Sequence, residues 1–308
     1  MPHRDLDLTV VATGDRLPVW HAGLTDYPSA SRFVTVDGLR MHMLDAGQPE
    51  ARPVLMVHGN PTWSYYYRHL VQALADRYRP IAVDHVGCGL SEKPDQLPYD
   101  LDLRIRHLTR LVEQLDLRNI HLVVHDWGGA IGLGAALHDP DRYGSFSLLN
   151  TAAFPPPFFP WRIRVCRFPV LGRIAVQRYN LFARAAIRMA TTRPGGLPAD
   201  VASGLLAPWD SWSHRRAIHE FVTDIPTRDG QPTMERLKQI RAGLPRLSDR
   251  PIQLLWGMQD WCFRPQCLAM FRTIWPAAQT REYRNAGHYV MEDAREQVIG
   301  AVQEILES

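Results

Sequence analysis

An aspartate stands where an apolar run gives way to glycines, in Val123-Val124-His125-Asp126-Trp127-Gly128-Gly129. An apolar strand running at once into small residues that open a helix has the form of a nucleophile elbow, a sharp turn that lifts one side chain into a cleft. The amides at the start of such a helix favour an anion. Alone, Asp126 would equally suit a helix N-cap. Its company argues otherwise. Asp260 follows the apolar run Leu254-Leu255-Trp256-Gly257, and His288 lies in Asn285-Ala286-Gly287-His288-Tyr289, just after the last expected strand. The order Asp126, Asp260, His288 is nucleophile, acid, base, as in hydrolases that carry such an elbow. Asp260 would accept a hydrogen bond from the imidazole and hold its tautomer. His85, His121 and His125 have no comparable setting and read as structural.

A third cluster, His58-Gly59-Asn60-Pro61-Thr62-Trp63-Ser64, directly follows another apolar run. Asn60 can donate through backbone and side-chain amides, and the Trp127 indole is a donor without a competing lone pair. Together they could cradle a departing anion. The plainer reading is that Asn60 forms a turn and Trp127 packs. A carboxylate nucleophile narrows the reaction. Serine attacking a saturated carbon would leave an ether that activated water cannot cleave, whereas aspartate leaves an ester that can be hydrolysed or expelled. The expected target is an sp³ carbon bearing halide, epoxide oxygen or lactone carboxylate.

These residues need a scaffold that brings distant segments to one edge. Short apolar runs at Phe33–Val36, Leu39–Leu44, Val54–Val57, Ile81–Val83, Ile120–Val124, Phe146–Leu149 and Ile252–Trp256 read as strands. Between them, Trp63, Tyr66, Tyr67, Leu70, Val71 and Leu74 form one helical stripe, and Leu101, Ile105, Leu108, Val112 and Leu115 another. Strands alternating with helices predict an α/β fold whose mostly parallel sheet is covered on both faces. The alternation stops after Asn150, where FPPPFFPW (154–161) forbids regular structure and a helix-rich stretch follows. The predicted organisation is a core of 1–150 and 246–308 with a helical cap at 151–245 and a ligand site between them.

Composition adds mainly exclusions. With 308 residues, 45% hydrophobic and 22% charged, the chain can bury one large core, and a net charge of +3 gives no nucleic-acid signature. No run is long enough to cross a bilayer. Met1–Trp20 carries Arg4, Asp5, Asp7, Asp15 and Arg16 rather than an apolar signal core, so a cytoplasmic location is expected. Cys88, Cys166, Cys262 and Cys267 show no CxxC spacing and read as free thiols.

From Tyr27 to Leu306 the chain resembles the haloalkane dehalogenase family of α/β-hydrolase-fold enzymes, on HGNPTWS (58–64), DHVGCGLS (84–91), VHDWGGA (124–130) and GHY (287–289). The resemblance implies that Asp126 is alkylated while Asn60 and Trp127 hold the leaving halide. One branch of the family takes its acid from after the preceding strand, but Asn150-Thr151-Ala152-Ala153 offers no carboxylate, which leaves Asp260. NTAAFP (150–155), APWDSW (207–212) and DIP (224–226) more closely resemble the β-lactone decarboxylases of bacterial long-chain olefin biosynthesis. That implies conversion of a cis-β-lactone to a cis-alkene and CO₂, without a cofactor, on an apolar small molecule, and a complex with other olefin-pathway enzymes. Haloalkane hydrolysis is the alternative. Epoxide hydrolysis, for which Tyr179 is the evident cap tyrosine, and a non-catalytic assembly subunit are lesser ones. From Arg142 to Pro198 the chain holds no acid, while Arg162, Arg164, Arg167, Arg173, Arg178, Arg184, Arg188 and Arg193 alternate with apolar residues. Such a cap could touch an anionic membrane surface, or its arginines could simply be solvated.

Overall fold

The computed structural model describes residues 8–10 and 17–308, so most of the stretch read as lacking a secretory signal lies outside the described residues. Among these residues, strands join in one sheet in the order β1-β2-β3-β5-β4-β6-β7-β8-β9. The strands are β1 (Leu8–Val10), β2 (Ser31–Val36), β3 (Leu39–Asp45), β4 (Pro53–Val57), β5 (Arg79–Val83), β6 (Ile120–Asp126), β7 (Tyr143–Thr151), β8 (Ile252–Gly257) and β9 (Gln279–Tyr283). The pairs among β1, β2, β3 and β5 are antiparallel, and from β5 through β4 to β9 every pair is parallel. The apolar runs sit in β2 to β8. Neither β1 nor β9 has such a run: β9 reads Gln-Thr-Arg-Glu-Tyr with no buried residue, as suits a strand at the open edge of a sheet.

Burial follows topology. All residues of β4, β6 and β8 are buried, the expected state of parallel strands covered on both faces. The covering helices are α1 (Arg68–Leu74), α2 (Leu101–Gln114), α3 (Gly128–Ala136), and, later in the chain, α10 (Pro265–Ile274), α11 (Val290–Asp293) and α12 (Arg295–Glu307). The first aromatic stripe divides between a 3₁₀ turn, Ser64–Tyr67, and α1. Helix α2 starts where the Asp100 carboxylate accepts the Leu103 amide at 2.8 Å, and it then buries Leu108, Leu111 and Val112. None of the described helices is long and apolar enough to cross a membrane.

Between β7 and β8 the chain runs through α4 (Trp161–Arg164), α5 (Leu171–Arg173), α6 (Leu181–Met189), α7 (Ala199–Leu206), α8 (Arg216–Asp224) and α9 (Pro232–Gly243). Helix α9 packs on α2 and α3, with Arg236 paired to Asp102, so the inserted segment returns to the core before β8 begins. The sheet does the positioning. Strand β4 lies between β5 and β6, so strand order reverses there, and the carboxyl ends of β4, β6, β7 and β8 stand side by side at the crevice where ligands bind in this architecture. With neighbouring strands about 4.8 Å apart, segments distant in sequence are brought within contact of one another.

The loop after β9 is anchored by an ion pair. Arg68 on α1 donates to Glu292 on α11 at 2.6 and 3.2 Å, and both side chains are almost fully buried. Removing one partner of a buried pair strands the other charge. Arg68→Met should therefore destabilise the fold by about 3 kcal/mol in urea unfolding. A loss below about 0.5 kcal/mol would mean that Arg295, 3.7 Å from Glu292, takes over as its counter-ion.

Candidate active site

Asp126 ends β6 with a backbone φ of +54°, and α3 begins two residues later. A non-glycine residue there is strained and is held by its surroundings. The constraint is close packing. A methyl group added at Gly128 would lie 2.0 Å from the Val57 carbonyl oxygen, and one at Gly129 would lie 2.0 Å from the Thr151 hydroxyl. Thr151, at the end of β7, donates its hydroxyl to the Asp126 carbonyl. Gly59 is bare for a similar reason, since a Cβ there would meet Asp126 Oδ1 at 2.0 Å.

The Asp126 side chain is buried but not idle. The Asn60 backbone amide donates to Oδ1 at 2.6 Å, while Oδ2 lies 3.5 Å from His288 Nε2. On the far side of the ring, His288 Nδ1 lies 2.9 Å from Asp260 Oδ2. Three residues from three chain segments thus form a continuous line of carboxylate, imidazole and carboxylate. Burial pushes the Asp126 carboxyl above its ordinary range, against the opposing pull of His288 and of the Asn60 and Trp127 amides. Burial alone would lower the imidazole, but the charge of Asp260, its hydrogen bond and then Asp126 outweigh this, and His288 is raised overall.

Asp260 is itself held. Asn150, at the end of β7, donates through Nδ2 to Asp260 Oδ2 and to the Gly257 carbonyl, both at 3.0 Å, while its Oδ1 accepts the Gly257 amide at 2.7 Å. The Cys262 amide donates to Asp260 Oδ1 at 2.6 Å. In the sequence, Asn150 stood out as a non-acid at an expected acid position and as the first residue of NTAAFP, not as a partner of Asp260. Its place directly after the apolar run Phe146–Leu149, at a strand end, was the available signal.

Asn60 and Trp127 both reach the site, but differently from one another. The Asn60 side-chain amide donates to the Ile218 carbonyl on α8 at 3.2 Å, so its backbone, not its side chain, faces the Asp126 carboxylate. Trp127 is half-buried, lines the cavity and packs on Phe221, with ring centres 5.8 Å apart. The other histidines make structural bonds. His125 Nε2 contacts the His288 carbonyl at 2.8 Å, His121 lies between Ser145 and Ser147, and His85 Nε2 contacts the His58 carbonyl at 2.9 Å. Burial keeps all three of these imidazoles below their ordinary pKa, hence neutral.

The cavity above Asp126 has a volume of about 130 Å³. Its walls are Ala152, Phe154, Phe158, Phe159, Ile163, Phe182, Val222, Ile225, Pro226, Leu237 and Phe263, with Asn60, Trp127 and His288 at the reactive end. Tyr179 is exposed, and no tyrosine lines this cavity among the described residues. The motifs NTAAFP, APWDSW and DIP all lie at or beside the site. NTAAFP supplies Asn150, Thr151, Ala152 and Phe154. Trp209 of APWDSW is buried and donates its indole N–H to the Pro61 carbonyl at 3.0 Å. Asp224 of DIP accepts the Leu101 amide at 2.9 Å, next to the cavity residues Ile225 and Pro226.

The α/β hydrolase fold family matches residues 52–165. The chain is 39% identical over 285 residues to the cis-3-alkyl-4-alkyloxetan-2-one decarboxylase of Shewanella oneidensis, covering 91% of this chain and 89% of that protein. It is 31% identical to haloalkane dehalogenase 2 of Mycobacterium tuberculosis, covering 90% of this chain and 95% of the relative. The chain belongs to the haloalkane dehalogenase family of α/β hydrolases. Family structures have the same fold: the crystal structure of the haloalkane dehalogenase DatA from Agrobacterium tumefaciens aligns with a TM-score of 0.81 at 28% identity, over 92% of this chain and 98% of that one.

Charge coupling across the ring is measurable. Asp126→Asn removes one of the two carboxylates that raise His288, so the imidazole should titrate at lower pH, read from its ring-proton NMR shifts. Because the folded value lies above the unfolded value of about 6.5, this group's stabilisation is complete below that pH and is lost as pH rises through the folded value. An unmoved titration in the variant would assign the whole shift to Asp260.

Proposed function

We propose that this chain converts a cis-3-alkyl-4-alkyloxetan-2-one to a cis-alkene and CO₂ in long-chain olefin biosynthesis, with Asp126 as nucleophile. The observation that carries the reading is the setting of Asp126. One carboxylate oxygen is fixed by an amide, and the carboxylate opens on a cavity with apolar walls suited to alkyl chains. The 39% identity to the Shewanella decarboxylase supports the same substrate class.

In this mechanism Asp126 Oδ2 attacks the β-carbon of the four-membered ring. The carbon–oxygen bond of the ring breaks and its electron pair goes to the new substrate carboxylate. The bond between the α-carbon and that carboxylate then breaks, releasing CO₂. Its electron pair forms the double bond and expels Asp126 from the β-carbon as a carboxylate. Attack inverts the β-carbon and elimination is anti, so the net loss is syn and a cis lactone yields a cis alkene. His288, oriented by Asp260, offsets negative charge beside Oδ2, and the Trp127 indole donates to the departing carboxylate.

A second reading is hydrolytic dehalogenation, favoured by relatives such as haloalkane dehalogenase 2. There His288 would activate water to attack the ester on Asp126. Offering a long-chain cis-β-lactone and a bromoalkane separately should give alkene much faster than bromide, and Asp126→Ala should abolish alkene formation. Rapid bromide release without alkene would reverse the assignment. Turnover of the lactone in ¹⁸O water should leave the Asp126 peptide unlabelled, because elimination returns both original oxygens. Label rising in step with alkene would instead mean that water attacks an ester or anhydride on Asp126.

Trp127→Phe retains the packing but removes the donor, and should slow alkene formation by about 10²-fold with the melting temperature unchanged. Asn60→Ala leaves the backbone amide in place and should cost less. Wild-type turnover in Trp127→Phe would remove the indole from the mechanism.

A further inference from the structure

The inserted helices α4 to α6 expose apolar side chains that a water-facing surface does not require. Trp161 is 70% exposed and Leu171 73%, and Phe168, Val170 and Leu181 are each more than half exposed. Between them run arginines with no nearby acid in sequence: 143–198 contains neither Asp nor Glu. Among the described residues, Arg162, Arg164, Arg173, Arg178, Arg184 and Arg188 are exposed, and Arg193 is the first in this segment to reach a carboxylate, Asp293 at 3.9 Å. Several lie instead on aromatic rings, with Arg162 over Trp261 at 5.4 Å and Arg173 over Trp212 at 5.4 Å. Such guanidinium groups stay charged and accessible while their stems cover apolar surface.

Two of these short helices, α4 and α6, also form part of the cavity wall. In α4, Ile163 is buried against the cavity while Trp161, Arg162 and Arg164 point outward. In α6, Phe182 and Ala186 line the cavity while Leu181, Arg184, Arg188 and Met189 are exposed. The outer side of α6, with Leu206, forms a shallow apolar depression rimmed by Arg184 and Arg188. One helix layer therefore has the reactive cavity on one side and a basic, apolar face on the other.

We propose that this face docks the enzyme on anionic phospholipid bilayers, with the apolar side chains entering the headgroup boundary and the arginines facing lipid phosphates. Charge complementarity favours a bilayer. The positive charge is spread over a segment of more than 20 residues and interleaved with protruding Trp, Phe and Leu, the pattern of an interfacial helix surface. Each basic residue near an anionic leaflet strengthens binding about fivefold, and salt screens that attraction. The proposal stands whichever reaction the site performs.

Co-sedimentation of the full chain with vesicles tests it. Binding to phosphatidylglycerol vesicles at low salt should exceed binding to phosphatidylcholine vesicles at least tenfold and should collapse in 1 M salt. Arg184→Glu with Arg188→Glu, and separately Trp161→Ser with Leu171→Ser, should each cut binding at least tenfold while leaving the melting temperature and the turnover of a short, water-soluble substrate unchanged. These exposed positions lie outside the reactive site. Equal binding to both vesicle types, binding insensitive to both variant pairs, or no binding would overturn the proposal. So would concentration-dependent self-association in sizing experiments that both variant pairs abolish, with vesicle binding absent, because a second copy of the chain would then be what the face accepts.

Discussion

A carboxylate held out of water at a strained turn is the constraint on which the rest of this structure depends. Asp126 has a left-handed backbone and a buried side chain, and neither is stable without compensation. The backbone is held by the glycines that let β4 and β7 approach and by the Thr151 hydroxyl. The charge is answered by the amides of Asn60 and Trp127 and by His288. Asn60 follows β4, Trp127 opens α3 and His288 lies in the loop after β9, so the site needs a parallel sheet that brings its carboxyl ends to one side.

The imidazole joins this carboxylate to a second one. His288 lies between two buried carboxylates, but their surroundings differ. Asp260 is saturated by Asn150 and the Cys262 amide and so is suited to hold the ring. Asp126 keeps one oxygen committed and the other directed at the imidazole. Two chemically identical groups are thus set apart, one with both oxygens held and one with an oxygen turned to the imidazole, purely by the hydrogen bonds each accepts.

The inserted helices complete the site rather than merely covering it. Ile218 takes the Asn60 side-chain amide, Trp209 fixes the Pro61 carbonyl, and Ile225, Phe182 and Ile163 supply cavity wall. A shift of these helices would alter the position of the Asn60 loop and the shape of the apolar space together. Substrate fit and the geometry around the Asp126 carboxylate are therefore mechanically coupled.

Local sequence was enough to determine the strands of the sheet interior, the elbow at Asp126, and the chain order of Asp126, Asp260 and His288. These features arise from apolar periodicity and from steric demands on immediate neighbours, both of which are written locally. The edge strand β9 was not legible as an apolar run, because an edge strand need not be apolar. The hold of Asn150 on Asp260, the turn of the Asn60 amide toward Ile218 and the clamp of Trp209 on Pro61 join positions 110, 158 and 148 residues apart. Only tertiary structure decided them, because a side chain's hydrogen-bond partner depends on which groups packing leaves within reach, and no local propensity encodes that.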